Sequence, residues 1–138
     1  MSWNNNPSAV TLLSTELNSL ANDSRVITAA IDNSIGLEQF ADFELSIAAQ
    51  SSTRDPNAAI EIYIIPSIDG INYPEDATVD PSVNMKVGSF VFSENTDADI
   101  DTILNILIPP GKFKILLKNI TGQALAESGN VLKYRIYS

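Results

Sequence analysis

The pattern that most constrains this chain is a period of two. Residues 40–48 place Ala41, Phe43, Leu45 and Ile47 on one side and Asp42, Glu44 and Ser46 on the other. Successive strand residues point to opposite faces, so this run has one core face and one wet face, as in an antiparallel sandwich. The pattern returns at 59–66, with Ile60, Ile62 and Ile64 against Glu61, Tyr63 and Ile65. It returns again at 112–119, with Phe113, Ile115 and Leu117 against Lys112, Lys114 and Lys118. The last run sets Leu132, Tyr134 and Ile136 against Lys133 and Arg135. Runs at 25–31, 86–92 and 102–108 and an ambiguous stretch at 9–20, read as extended, bring the count to about eight strands. Pro66, Asp69-Gly70, Pro109-Pro110-Gly111 and Thr121-Gly122 punctuate them. No capped helical run competes. The sequence therefore predicts an all-β, antiparallel, jelly-roll-like β-sandwich over residues 9–138, preceded by an extended arm at 1–8.

The same residues exclude much chemistry. The chain has no Cys and no His, which removes thiolate chemistry, the commonest general base and the commonest metal ligand. No Gly-x-Ser-x-Gly elbow and no phosphate-cradling Gly loop occur. Carboxylate pairs are plentiful but fall largely in loops, where solvated acids are expected. The expectation is no enzyme, no catalytic or metal residue and no cofactor. A formal charge of −9 argues against coating nucleic acid. No apolar run approaches a membrane span of about 20 residues. The start shows no basic region followed by an apolar core, and the chain is expected to be made in the cytoplasm.

Charge is distributed unevenly. Residues 1–111 hold three Lys/Arg and sixteen Asp/Glu, whereas residues 112–138 hold five Lys/Arg and the single acid Glu127. The basic strand faces invite contact with an acidic neighbour, making Lys112, Lys114, Lys118, Lys133 and Arg135 candidate partner contacts. The long connection at 67–84 carries Tyr73, Pro74 and four acids, and loops of that length are commonly functional or packed. Trp3, with Asn4 and Asn5 beside it on the polar arm, is a second candidate anchor. The acids at 97, 99 and 101, and Asp69, Glu75, Asp76 and Asp80 in one loop, match no EF-hand spacing; solvated charge is their plain reading and structural calcium the alternative. Asn119-Ile120-Thr121 fits a glycosylation pattern but reads better as a strand running into a turn.

Four stretches carry a resemblance: LLSTELNSLANDS (12–24), EIYIIPSIDGINYP (61–74), IPPGKFKILLKNITGQALAESGN (108–130) and LKYRIYS (132–138). They resemble small virion structural proteins of tailed bacteriophages. That resemblance implies a capsid cement or decoration protein that binds the major capsid protein at capsomer junctions. It also implies a homo-oligomer, a dimer or trimer, on the outer capsid surface, with no nucleic-acid and no membrane partner. The alternative is a tail- or fibre-associated module recognising a host carbohydrate or receptor. On this reading, deleting residues 1–8 is expected to weaken binding to the particle while the remaining domain stays folded. Unchanged particle binding by the truncated chain contradicts the assignment of the arm.

Overall fold

The computed structural model describes residues 8–138, and the expected arm residues Trp3, Asn4 and Asn5 lie outside them. Nine strands form: β1 (Val10–Leu13), β2 (Arg25–Ile27), β3 (Ile31–Asn33), β4 (Phe40–Ile47), β5 (Ala59–Ser67), β6 (Lys86–Val91), β7 (Asp99–Leu107), β8 (Gly111–Ile120) and β9 (Val131–Tyr137). They pair in two antiparallel sheets. Sheet A runs β1-β9-β4-β7, and sheet B runs β2-β8-β5-β6 with β3 also on β8. The chain crosses repeatedly between the sheets, which is the jelly-roll order expected from the alternation.

The inward sets are those that the alternation selects. Phe43, Leu45, Leu132, Ile60, Ile62, Phe113, Ile115 and Leu117 are buried in one shared core. Register makes the pairing concrete, with Ile62 opposite Leu117 and Leu45 opposite Leu132. Phe43 stacks on Tyr134 across β4 and β9 at 6.3 Å between ring centroids. Fully burying each large side chain stabilises by about 1.5–3 kcal/mol, and this dominates the fold.

Three departures from the alternation have identifiable causes. The run at 25–31 splits because Thr28 breaks the ladder. Its hydroxyl accepts the Ile115 N–H at 3.0 Å, a bond that a backbone carbonyl makes in a regular strand. The stretch at 9–20 holds only a short strand, followed by a 3-10 turn at Thr15–Leu17 that buries Leu17. β7 begins at Asp99, three residues before the expected run at 102–108, so the acidic residues Asp99 and Asp101 belong to the strand. There Asp99 and Asp101 accept the Ser93 and Val91 N–H groups at 2.9 and 2.8 Å, capping donors along the β6 edge. This protects an edge strand from pairing with other chains.

Gly88 sits where β6 bulges, with Val87 the extra residue between the pairs Ile62–Gly88 and Tyr63–Lys86. A Cβ there would approach Ile103 Cδ1 at 3.1 Å.

The two ends of the sandwich differ in kind. At one end the loops 14–24, 48–58, 92–98 and 121–130 meet around Arg54, which is 1% exposed. Its guanidinium donates to Gln50 Oε1 at 2.6 Å, Ser93 O at 3.0 Å, Asn95 Oδ1 at 3.2 Å and the Asp97 carbonyl, and it lies over the Phe92 ring. Gln50 in turn donates to Ala124 O, and Asn119 donates to Leu20 O and Gln123 O. Asn119 is fully buried with its amide engaged, so the glycosylation pattern there is structural and the residue closes β8 into a turn. Replacing Arg54 with Met strands the buried Gln50 Oε1, at about 1–3 kcal/mol, and removes three part-buried bonds from a charged donor that tie the loop 93–97. The expected result is a loss of about 3 kcal/mol or more, read as a lower urea midpoint at unchanged slope. A midpoint within error of the parent contradicts this role.

Candidate functional site

The opposite end is formed by the connection 34–39, the start of the connection 68–85 and the turn 108–110. It presents large aliphatic side chains to solvent: Ile68 is 100% exposed, Ile35 90%, Ile71 79% and Leu107 70%. Leu37 is also exposed and adopts a φ of +49°, a conformation uncommon for a branched residue. A shallow depression runs between these loops, lined by Ser34, Ile68, Ile71, Pro109, Pro110 and Lys112. Single exposed aliphatics are ordinary, and Val83, Val91 and Ile100 are exposed elsewhere; the grouping of Ile68 and Ile71 along one depression, with Ile35 and Leu107 on the adjoining segments, makes this end the candidate interaction surface.

Specific hydrogen bonds hold this display in shape. Asp69 Oδ1 accepts the Ile71 and Asn72 N–H groups at 2.8 and 2.7 Å and the Ser67 hydroxyl at 3.0 Å. Those backbone donors, Asn72 first, hold its carboxyl far below the usual carboxylate range. Buried Asn33 does the same for the neighbouring loop. It donates to Glu38 O and Pro109 O at 2.8 and 3.0 Å and accepts the Glu38 N–H at 2.9 Å. Thus Asp69 and Asn33 fix the loops from which Ile68, Ile71 and Ile35 project. Asp32, Glu38 and Asp69 give this end a mainly acidic rim, with Lys112 as its cation.

The residues singled out from sequence scatter over the molecule, and several are already engaged. The connection 68–85 folds back over the outer face of sheet B. There Tyr63, Ile65 and Leu116 form a second apolar cluster with Tyr73, Ile27 and Met85. Tyr73 is therefore half-buried against its own sheet, with Lys114 Nζ 4.3 Å from its ring centroid. Pro74 beside it is exposed. Asp80 bridges Arg25 Nη1 at 2.7 Å and Lys118 Nζ at 2.9 Å, and Arg25 also donates to the carbonyls of Ala77 and Thr78. Lys112, Lys114 and Lys118, read from sequence as facing water, face this loop and are partly covered. The correction has a simple cause: the sequence gives the strand's period but not what a distant loop lays on it. Burial under the loop, with Glu61 beside it, pushes the Tyr63 hydroxyl up to about 12.

Lys133 and Arg135 lie elsewhere, on the outer face of sheet A. Arg135 Nε donates to Asp42 Oδ2 at 2.8 Å. Asp42 Oδ1 accepts the Asn105 N–H at 2.8 Å and the Tyr137 hydroxyl at 2.7 Å. Burial alone raises the Asp42 pKa, but these hydrogen bonds together hold it below its ordinary value. Asn105 has a φ of +58° in the β7 bulge opposite Ala41 and Phe43. Sequence reasoning missed the apolar end altogether. Its one signal was isoleucine on both sides of the Asp69-Gly70 turn, where polar residues are usual.

No group of three or more acidic, His or Cys side chains among the described residues is placed to hold a metal ion. No helix of the described chain is long and apolar enough to cross a membrane. No family model matches the sequence, and no curated protein matches it. Among solved structures, it is similar to the CBM36-1 domain of a multidomain xylanase from the hindgut metagenome of Trinervitermes trinervoides. The identity is 14%, covering 96% of this chain and 94% of that one, with a TM-score of 0.46. A carbohydrate-binding module CBM36 in complex with calcium and xylotriose is similar at 16% identity, covering 100% and 93%, also with a TM-score of 0.46. Likeness of this degree assigns neither a family nor a ligand.

The Asp80 clamp has a defined pH sign. Its pKa is lowered, chiefly by the hydrogen bond from Lys118. The clamp therefore contributes fully above the unfolded carboxylate value of 3.8 and is lost as pH falls through the lower folded value. Asp80→Asn is expected to speed amide exchange across residues 76–82 at neutral pH, with little change in global unfolding. Exchange unchanged from the parent contradicts the clamp.

Proposed function

We propose that this protein is a non-catalytic structural component of a bacteriophage particle, docking onto the major capsid protein through the apolar end of its sandwich. The observation that carries the docking reading is the display of Ile35, Leu37, Ile68, Ile71 and Leu107 at one end, held out by Asp69 and Asn33. An exposed aliphatic side chain contributes about 1.5–3 kcal/mol when a partner buries it fully, so three or four supply a gain of the same order as the cost of association and give a modest single contact. The partner surface that fits is apolar and rimmed by Lys or Arg, complementary to Asp32, Glu38 and Asp69. The particle itself comes from the sequence resemblance, with cementing of capsomer junctions its finer form. Repetition of a modest contact over a symmetric shell raises avidity without new contacts.

A second reading is a carbohydrate- or receptor-binding module. Sugar platforms are commonly built from exposed aromatic rings, and every aromatic side chain among the described residues is buried or half-buried. The open groove on sheet A is the feature that favours this reading, and it lies apart from the apolar end.

The docking reading is tested with Ile68→Asp and Ile71→Asp, singly and together. Both residues are largely exposed, so the free domain is expected to keep its melting temperature. Binding to particles lacking this chain is expected to fall at least a hundredfold for the double variant. Particle binding equal to the parent overturns the docking face.

A further inference from the structure

The outer face of sheet A carries a groove of about 210 Å³, distinct from the apolar end, with a floor from β4 and β9 and one wall from β7. Asp42 and Glu44 line it from β4, Lys133 and Arg135 from β9, and Thr102 and Leu104 from β7. Cross-strand register sets Asp42 opposite Arg135 and Glu44 opposite Lys133. The first pair is joined, at 2.8 Å. The second is not: no ion pair or hydrogen bond joins Glu44 to Lys133, although they stand directly opposite. The Arg135 guanidinium is fixed through Nε alone, its side chain half exposed, and Nη1 and Nη2 remain available. Asp42 is in turn fixed by the Asn105 N–H and the Tyr137 hydroxyl, so the guanidinium is oriented in advance.

The groove therefore offers donors from Lys133 and Arg135, an acceptor from Glu44, and an aliphatic wall at Leu104. Its four charges cancel. A phosphate or carboxylate ligand would meet Glu44 and Asp42 at the floor, and a purely apolar one would strip water from Lys133 and Glu44 uncompensated. A neutral ring bearing several hydroxyls, each able to donate and accept, satisfies both kinds of group and lays its C–H face on Leu104. From this we infer that the groove is a binding site for one ring of a neutral saccharide. Glu44 accepts from a ring hydroxyl, while Lys133 and the two free Arg135 nitrogens donate to others.

The inference deepens the carbohydrate-binding reading and rests on it, and it stands independently of docking through the apolar end. The test is NMR titration of the intact chain with neutral linear hexose and pentose oligosaccharides, with glycerol and a uronic-acid oligosaccharide as parallel arms. Saturable shifts confined to residues 42–44, 102–104 and 133–135 are expected with a neutral oligosaccharide. Lys133→Ala and Glu44→Gln, both surface changes, are each expected to weaken binding at least tenfold with the fold unchanged. Four results overturn the inference: no saturable shift with any neutral oligosaccharide, shifts centred elsewhere, equal response to glycerol, or preference for the uronic acid arm.

Discussion

Arg54 is a buried cation with no carboxylate at hydrogen-bond distance, and the shape of the molecule depends on how it is satisfied. Taking a charge out of water is expensive unless its donors are all met. Here Gln50, Asn95 and the carbonyls of Ser93 and Asp97 accept from four of its five N–H groups, so separate loops converge on one point. Asn119, Thr121 and Asn130 extend the network, each buried and each bonded to loop backbone. One end of the sandwich is thereby closed by a network of buried polar groups bonded to one another and to loop backbone. The other end offers exposed aliphatic residues, with a mainly acidic rim and Lys112 as its cation. The two ends of the sandwich differ accordingly in the chemistry they present.

The connection between β5 and β6 links the two features. It leaves the apolar end, crosses the outer face of sheet B and lets that sheet bury both its faces. This explains why β5 is buried on nearly every residue, whereas β7, on the other sheet, remains largely wet. The cations Arg25, Lys114 and Lys118 hold the crossing in place. The basic faces near the C-terminus therefore divide into two roles: β8 fastens the loop, and β9 supplies the groove of sheet A with two cations, of which Arg135 is held by Asp42.

Much of this fold was legible in the sequence, because alternation is a local property. Phe43, Leu45, Phe113, Ile115 and Leu132 declare an inward face within a few residues, and the Pro and Gly signals bound the strands. What failed was non-local. Nothing near Thr28 announces that its hydroxyl will replace a ladder carbonyl. Nothing near Lys114 announces that Tyr73, some forty positions earlier, will lie under it. Arg54 sits in a polar loop that reads as solvent-exposed and is among the most buried residues of the molecule. The apolar end is assembled from three separated connections, each too short to show a pattern. The groove is likewise invisible until β4, β7 and β9 are set side by side.

The central claim is that the apolar end, and not the Arg54 end, is buried against another protein. An electron-microscopy reconstruction of a particle carrying this chain tests it most directly, by placing the sandwich and its orientation. The account predicts density at junctions between capsomers, with Ile35, Ile68 and Ile71 against the shell and the Arg54 end turned away. Density confined to the tail, or a sandwich whose Arg54 end meets the shell while those isoleucines face solvent, contradicts it.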